Sequence, residues 1–230
     1  MNQFIDKRNI YLWELLSKAY EIKIKDSING EYSCFVQERN ATIYVDFQNI
    51  SIDSFTHELL HIYTKFKEFY IGASIKMFIK GDDFFQIIIS DDLLEHIGNC
   101  LDHIKIFPIY QKLGFDEHEF LYDFEDYKCN NEELLTLTRN YRIHNFININ
   151  AIDFYIGKLM AMLCDPNVKN DYSKPLSEFK KLDNRLFEII EDLITDTKKF
   201  DIEDSQNSYI DITYDFYTKL NNWREESNFL

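Results

Sequence analysis

The chain has 230 residues, enough for one large domain or two small ones and for a hydrophobic core of useful size. Hydrophobic residues make up 45% and charged residues 28%, a globular balance that excludes wholesale disorder. The formal charge of −15 repels phosphate backbones, so it argues against nucleic acid and favours cations or basic peptides, unless the acidity serves solubility alone.

Twenty Phe and 15 Tyr stand against only 6 Gly and 3 Pro, which favours long helices with a bulky core over a turn-rich β-sandwich. Cys34, Cys100, Cys129 and Cys164 form no C-x-x-C pair and no disulfide framework, so reduced thiols in a cytoplasmic protein are the simplest account. The first twenty residues mix charge into an amphipathic pattern, unlike a signal peptide. No apolar run approaches the roughly 18 residues that span a bilayer.

In chain order, residues 5–20 read as a helix with a broad apolar stripe through Leu12, Leu16 and Tyr20. Residues 21–25 alternate as a strand, Asn29-Gly30 signals a hairpin turn, and residues 32–38 and 41–47 supply two more strands. A small antiparallel sheet over 21–48 is expected. Ser51, Asp53 and Ser54 are candidate caps for a helix over 54–69. Residues 71–90 suit either strands or an irregular lid. Asp91-Asp92 opens a helix to about Phe107, with Pro108 and Gly114 as breaks. Further helices are expected over 131–163, 176–199 and 208–226. The fold class is therefore α+β, with a core over 1–128 and a mostly helical C-terminal half over 129–230, or one continuous domain.

The segment His57-Glu58-Leu59-Leu60-His61 carries the chemistry. Two His four residues apart lie on one helical face, one turn apart, where both imidazoles reach a single ion. Zinc accepts His nitrogen at about 2.0–2.1 Å and keeps an open position for water at catalytic sites. Glu58, beside the first ligand, then takes the proton of the activated water. The flanks from Ser54 to Tyr63 carry no charge other than Glu58, as a buried site helix requires.

This segment resembles the zincin metallopeptidases, with a specific match at 54–63 and a looser one over 20–110. The resemblance implies zinc, peptide-bond hydrolysis, Glu58 as general base, and an edge strand along the substrate cleft, here 41–48, which would bind substrate by strand addition. A metzincin would carry Gly and His where this chain has Thr64 and Lys67, so the likeness is to gluzincins, whose third ligand comes from a later helix.

That helix is 91–107. The gluzincin resemblance nominates Glu95. Periodicity puts Leu93, Ile97, Leu101 and Ile104 on the buried face, His96 and His103 at its margin, and Glu95 with Asp102 toward solvent. The reading prefers His103, then Glu95, then His96. His118 is expected in a solvated stretch and His144 as a structural residue. Tyr63, Tyr110, Tyr141 and Tyr155 are open candidates for stabilising a tetrahedral intermediate, and Asp153 for orienting an imidazole. Met160 and Met162 read as helix core, and Cys100 beside His96 and His103 as packing. Two alternatives stay open: a metallohydrolase acting on a non-peptide amide, and a non-enzymatic acidic interaction or phage-defence module with a vestigial motif. A peptide or protein is the expected partner, with no nucleic acid and no membrane.

Overall fold

Asn9 ties the start of the chain down. Its buried amide donates to Phe4 O at 3.0 Å and Thr56 Oγ1 at 2.8 Å, while its Oδ1 accepts from Asp6 N. Helix α1 (Ile10–Ala19) follows and buries Leu12 and Leu16. The computed structural model describes residues 2–204 and 208–230 and divides them into two compact units.

The first unit comprises residues up to Tyr70 together with Lys105–Phe124. Its sheet consists of β1 (Glu21–Asp26), β2 (Ser33–Gln37) and β3 (Asn40–Val45) in the order β1-β3-β2. The sheet is mixed, not wholly antiparallel as expected. Strand β3 runs parallel to β1, pairing Ile24 with Ile43, and antiparallel to β2, pairing Cys34 with Ile43. The reason is local. The tight reversal lies at Glu38-Arg39, where Glu38 adopts a φ of 52°, so β2 folds back on β3. Asn29-Gly30 does bend the chain, with Gly30 at φ 77°, but it opens a crossover and β1 pairs with the opposite edge of β3. Strand β3 is consequently central and its ladder is filled on both sides. It cannot take an added substrate strand, which corrects the expectation for 41–48.

Helix α2 (Ile52–Phe66) is capped by Ser51, whose Oγ accepts from Ser54 N at 3.0 Å. It packs Phe55, Leu59, Leu60 and Ile62 against a core containing Phe4, Leu16, Ile43 and Val45. Phe4 stacks on Phe55 with ring centroids 5.1 Å apart. Each such fully buried side chain contributes about 1.5–3 kcal/mol of transfer free energy, which fixes α2 against the sheet. The last turns of helix α5 (Asp91–Lys112) belong to this core through Ile106 and Tyr110. The helix runs past Pro108, where a break was expected.

The second unit comprises Ile71–Ile104 and Glu125–Leu230 and is almost wholly helical. Residues 71–90, ambiguous in sequence, form α3 (Ile71–Lys80) and α4 (Phe85–Ile88). Ile71, Ile75 and Ile79 are buried four residues apart, a helical spacing. Gly72 and Gly98 let α3 and α5 touch, since a Cβ on Gly72 would meet Gly98 Cα at 2.7 Å. Residues 71–104 thus belong with the helices and not with the N-terminal core, unlike a division at 128. The cap of α5 is Ser90, whose Oγ accepts from Leu93 N, rather than Asp91-Asp92.

The remaining elements are α6 (Asn131–Asn140), β4 (Arg142–Ile143), β5 (Phe146–Ile147), α7 (Ile149–Leu163), α8 (Ser173–Leu182), α9 (Asn184–Lys199) and α10 (Ile210–Glu226). The single helix expected over 131–163 is therefore two, parted by a short hairpin in which His144 takes a φ of 56°. Buried Asp183 organises this unit: its carboxylate accepts from Tyr141 Oη, Trp223 Nε1 and Leu186 N, and its carbonyl from Tyr155 Oη. The fold class is α+β with a helical C-terminal half. Among the described residues, no helix is long and apolar enough to cross a membrane.

Candidate metal centre

Helix geometry sets His57 and His61 one turn apart on α2, and both are 9% exposed. Their Nε2 atoms lie 3.1 Å apart. Two ligands on an ion at about 2.05 Å, separated by a tetrahedral angle, would stand roughly 3.3 Å apart, so the spacing fits zinc. Phe120 covers His57 with ring centroids 4.7 Å apart and is itself buried. Thr64 Oγ1 donates to His61 O at 2.8 Å, which fastens the turn that carries the second imidazole.

His103, half-buried on α5, completes the group. His57, His61 and His103 each offer one ligand atom, and these atoms all lie within 4.8 Å of one another. This trio can hold a metal ion. Three neutral imidazole nitrogens are a donor set that zinc accepts at catalytic sites. Burial, followed by the neighbouring His61, pushes the His57 pKa down to about 3, while a hydrogen bond to the Phe120 backbone acts in the opposite sense. His57 is thus neutral across the physiological range, the form that ligates metal.

Glu58 is 8% exposed. Burial raises its pKa, while the nearby His61 and hydrogen bonds from the Cys34 side chain and backbone act to lower it. A raised carboxyl pKa suits a group that must take and return a proton near neutral pH. Cys34 lies on β2, the sheet edge that faces α2, and sequence reading missed it. Strand alternation held the clue, because Cys34 and Val36 are the half-buried positions of β2 while Ser33, Phe35 and Gln37 are exposed.

The other candidates lie elsewhere. The Glu95 side chain is 74% exposed and pairs with Lys76 at 3.7 Å. His96 Nε2 sits 3.2 Å from Gly157 O and 3.6 Å from Cys100 Sγ. Asp102, expected toward solvent, is buried, because α5 is covered over a wider arc than one apolar stripe predicts. His118 is exposed and packs on Phe124, and His144 is exposed in its turn. Tyr110 donates to Asp53 at 3.4 Å, Tyr141 to Asp183, and Tyr155 to Phe179 O and Asp183 O. Tyr63 is half-buried and stacks on Phe66. Asp153 accepts from Ser90 N and Oγ, holding the start of α5 and no imidazole. Met160 and Met162 are core.

Comparison with protein-family models, with curated proteins and with solved structures gives no match.

Proposed function

We propose that this protein is a zinc-dependent hydrolase that cleaves peptide bonds. The observation that carries the reading is the coincidence of three imidazoles in one group with a buried carboxylate next to the first of them in sequence. His57, His61 and His103 would hold the ion. Zinc would supply Lewis acidity, polarising a carbonyl and making water a stronger acid.

Glu58 is then the residue that moves protons. Its carboxylate takes one from the attacking water and returns it to the departing amine. Cys34 orients that carboxylate through its thiol and backbone N–H. Phe120 covers one side of His57 and keeps bulk water from it. The net charge of −15 favours basic peptides as substrates and leaves nucleic acid and anionic membranes disfavoured. Reduced cysteines accord with a cytoplasmic location.

The test is cleavage of a mixed peptide library by zinc-restored protein beside Glu58→Gln. The wild type should cut and the variant should be slower by about 10²–10⁴. Equal cutting by both would remove Glu58 from the chemistry. Hydrolysis of small amide substrates with peptides left intact would transfer the reading to a non-peptide amide.

A further inference from the structure

A second cluster of reactive side chains lies within the helical unit and plays no part in the proposed hydrolysis. Helices α5 and α7 meet at Gly157. Gly157 of α7 faces Leu93, with only 3.5 Å from an added Cβ to Leu93 Cδ1, and its carbonyl lies 3.2 Å from His96 Nε2. Seven residues on from Leu93 and from Gly157 stand Cys100 in α5 and Cys164 just past the end of α7, and the Cys164 side chain hydrogen-bonds to Cys100. Cys100 Sγ lies 3.6 Å from His96 Nε2 and 4.0 Å from its Nδ1. Neither sulfur is in a disulfide.

The four cysteines have different surroundings. Cys34 hydrogen-bonds to the carboxyl group of Glu58. Cys129 is buried, as Cys100 is, and burial together with the nearby Glu133 raises its pKa. Cys164 is held in the thiol form by its hydrogen bond to Cys100 and by burial. Cys100 has the His96 imidazole within reach. The Cys100 sulfur in turn raises the His96 pKa against the burial that would lower it, which suits His96 to take a proton.

We propose that Cys100 and Cys164 are a peroxide-reactive dithiol in which Cys100 attacks, Cys164 resolves and His96 accepts the Cys100 proton. The Cys100 thiolate attacks one oxygen of hydrogen peroxide and the O–O bond breaks. The departing hydroxide takes the proton from His96 and leaves as water. Cys100 is oxidised to the sulfenic acid and the peroxide is reduced. The Cys164 sulfur then attacks Cys100 Sγ, the S–O bond breaks, and a second water leaves carrying the Cys164 proton. Two thiols and one peroxide become one disulfide and two waters. The bridge staples α5 to the end of α7, and it requires no metal.

The test is titration of the full-length protein with hydrogen peroxide, followed by alkylation and peptide mapping without reduction. A Cys100–Cys164 peptide, lighter by two hydrogens, should form before Cys34 or Cys129 changes. In Cys164→Ser the reaction should stop at a Cys100 sulfenic acid that dimedone traps. In His96→Gln, Cys100 oxidation should slow about tenfold. Oxidation of Cys34 or Cys129 ahead of Cys100 would overturn the proposal, and so would an untrapped Cys100 in Cys164→Ser or an unchanged rate in His96→Gln. The wild-type map decides the pairing by itself should a variant fail to fold.

Discussion

Acid should unfold the metal-free protein through His57. The unfolded chain protonates this residue near its ordinary pKa of 6.5, whereas in the fold its pKa is pushed down to about 3. The unfolded state therefore binds more protons between these values, so the neutral folded imidazole loses stability as pH falls through that window. From those two pKa values, linkage gives a loss of about 1.4 kcal/mol at pH 5.5 and about 2.7 kcal/mol at pH 4.5, relative to pH 7.5. Set against a typical total of roughly 5–15 kcal/mol, the second figure is a substantial share. The assay is urea unfolding of chelator-treated protein from pH 7.5 to 4.5, for wild type beside His57→Gln. The variant cannot titrate at this position, so its stability should fall by about 2–3 kcal/mol less over the range. Parallel curves for the two proteins would refute the argument, since they would mean that His57 takes its proton in the fold as readily as in the unfolded chain.

Other consequences follow from the packing. Gly72→Ala should destabilise by about 1–3 kcal/mol because its Cβ meets Gly98 backbone at 2.7 Å, while Gly98→Ala meets Gly72 Cα at an ordinary 3.5 Å and should be neutral or slightly stabilising in thermal melts. Asp183→Ala should cost about 3–5 kcal/mol in urea unfolding, since it strands the Tyr141, Trp223 and Leu186 donors together. Cys34→Ala should lower peptide cleavage while leaving zinc content unchanged; loss of zinc instead would place Cys34 in the ligand set. Glu95→Gln and His96→Gln should keep wild-type zinc affinity by competition with a chromogenic chelator, whereas His103→Ala should weaken it by at least about 100-fold.

How much of this was legible depended on whether a feature is local. The pairing of His57 with His61 follows from one helical turn, and the Ser51 cap from its side chain alone. Periodicity set His103 at the margin of its helix, and the structure groups it with the α2 pair. What escaped is non-local or too short to show a period. The β1–β3 pairing joins residues about twenty apart across a crossover, and no local pattern distinguishes it from a hairpin. The β4–β5 hairpin has two residues per strand, and its turn depends on His144 at positive φ rather than on glycine. Helices α3 and α4 lie in a run dense with Phe and Ile, where buried strand and buried helix look alike. The contact of Cys34 with Glu58 and the cover of Phe120 over His57 depend on tertiary packing of separate segments.

The most direct test of the central claim is the zinc content of the purified, zinc-equilibrated protein by elemental mass spectrometry. Wild type should be measured beside Glu58→Gln, His57→Ala and His103→Ala. About one zinc per chain in wild type and Glu58→Gln, with loss in both His variants, is the expected result. Wild-type protein that holds no zinc after equilibration would contradict the account and leave an acidic interaction protein in its place.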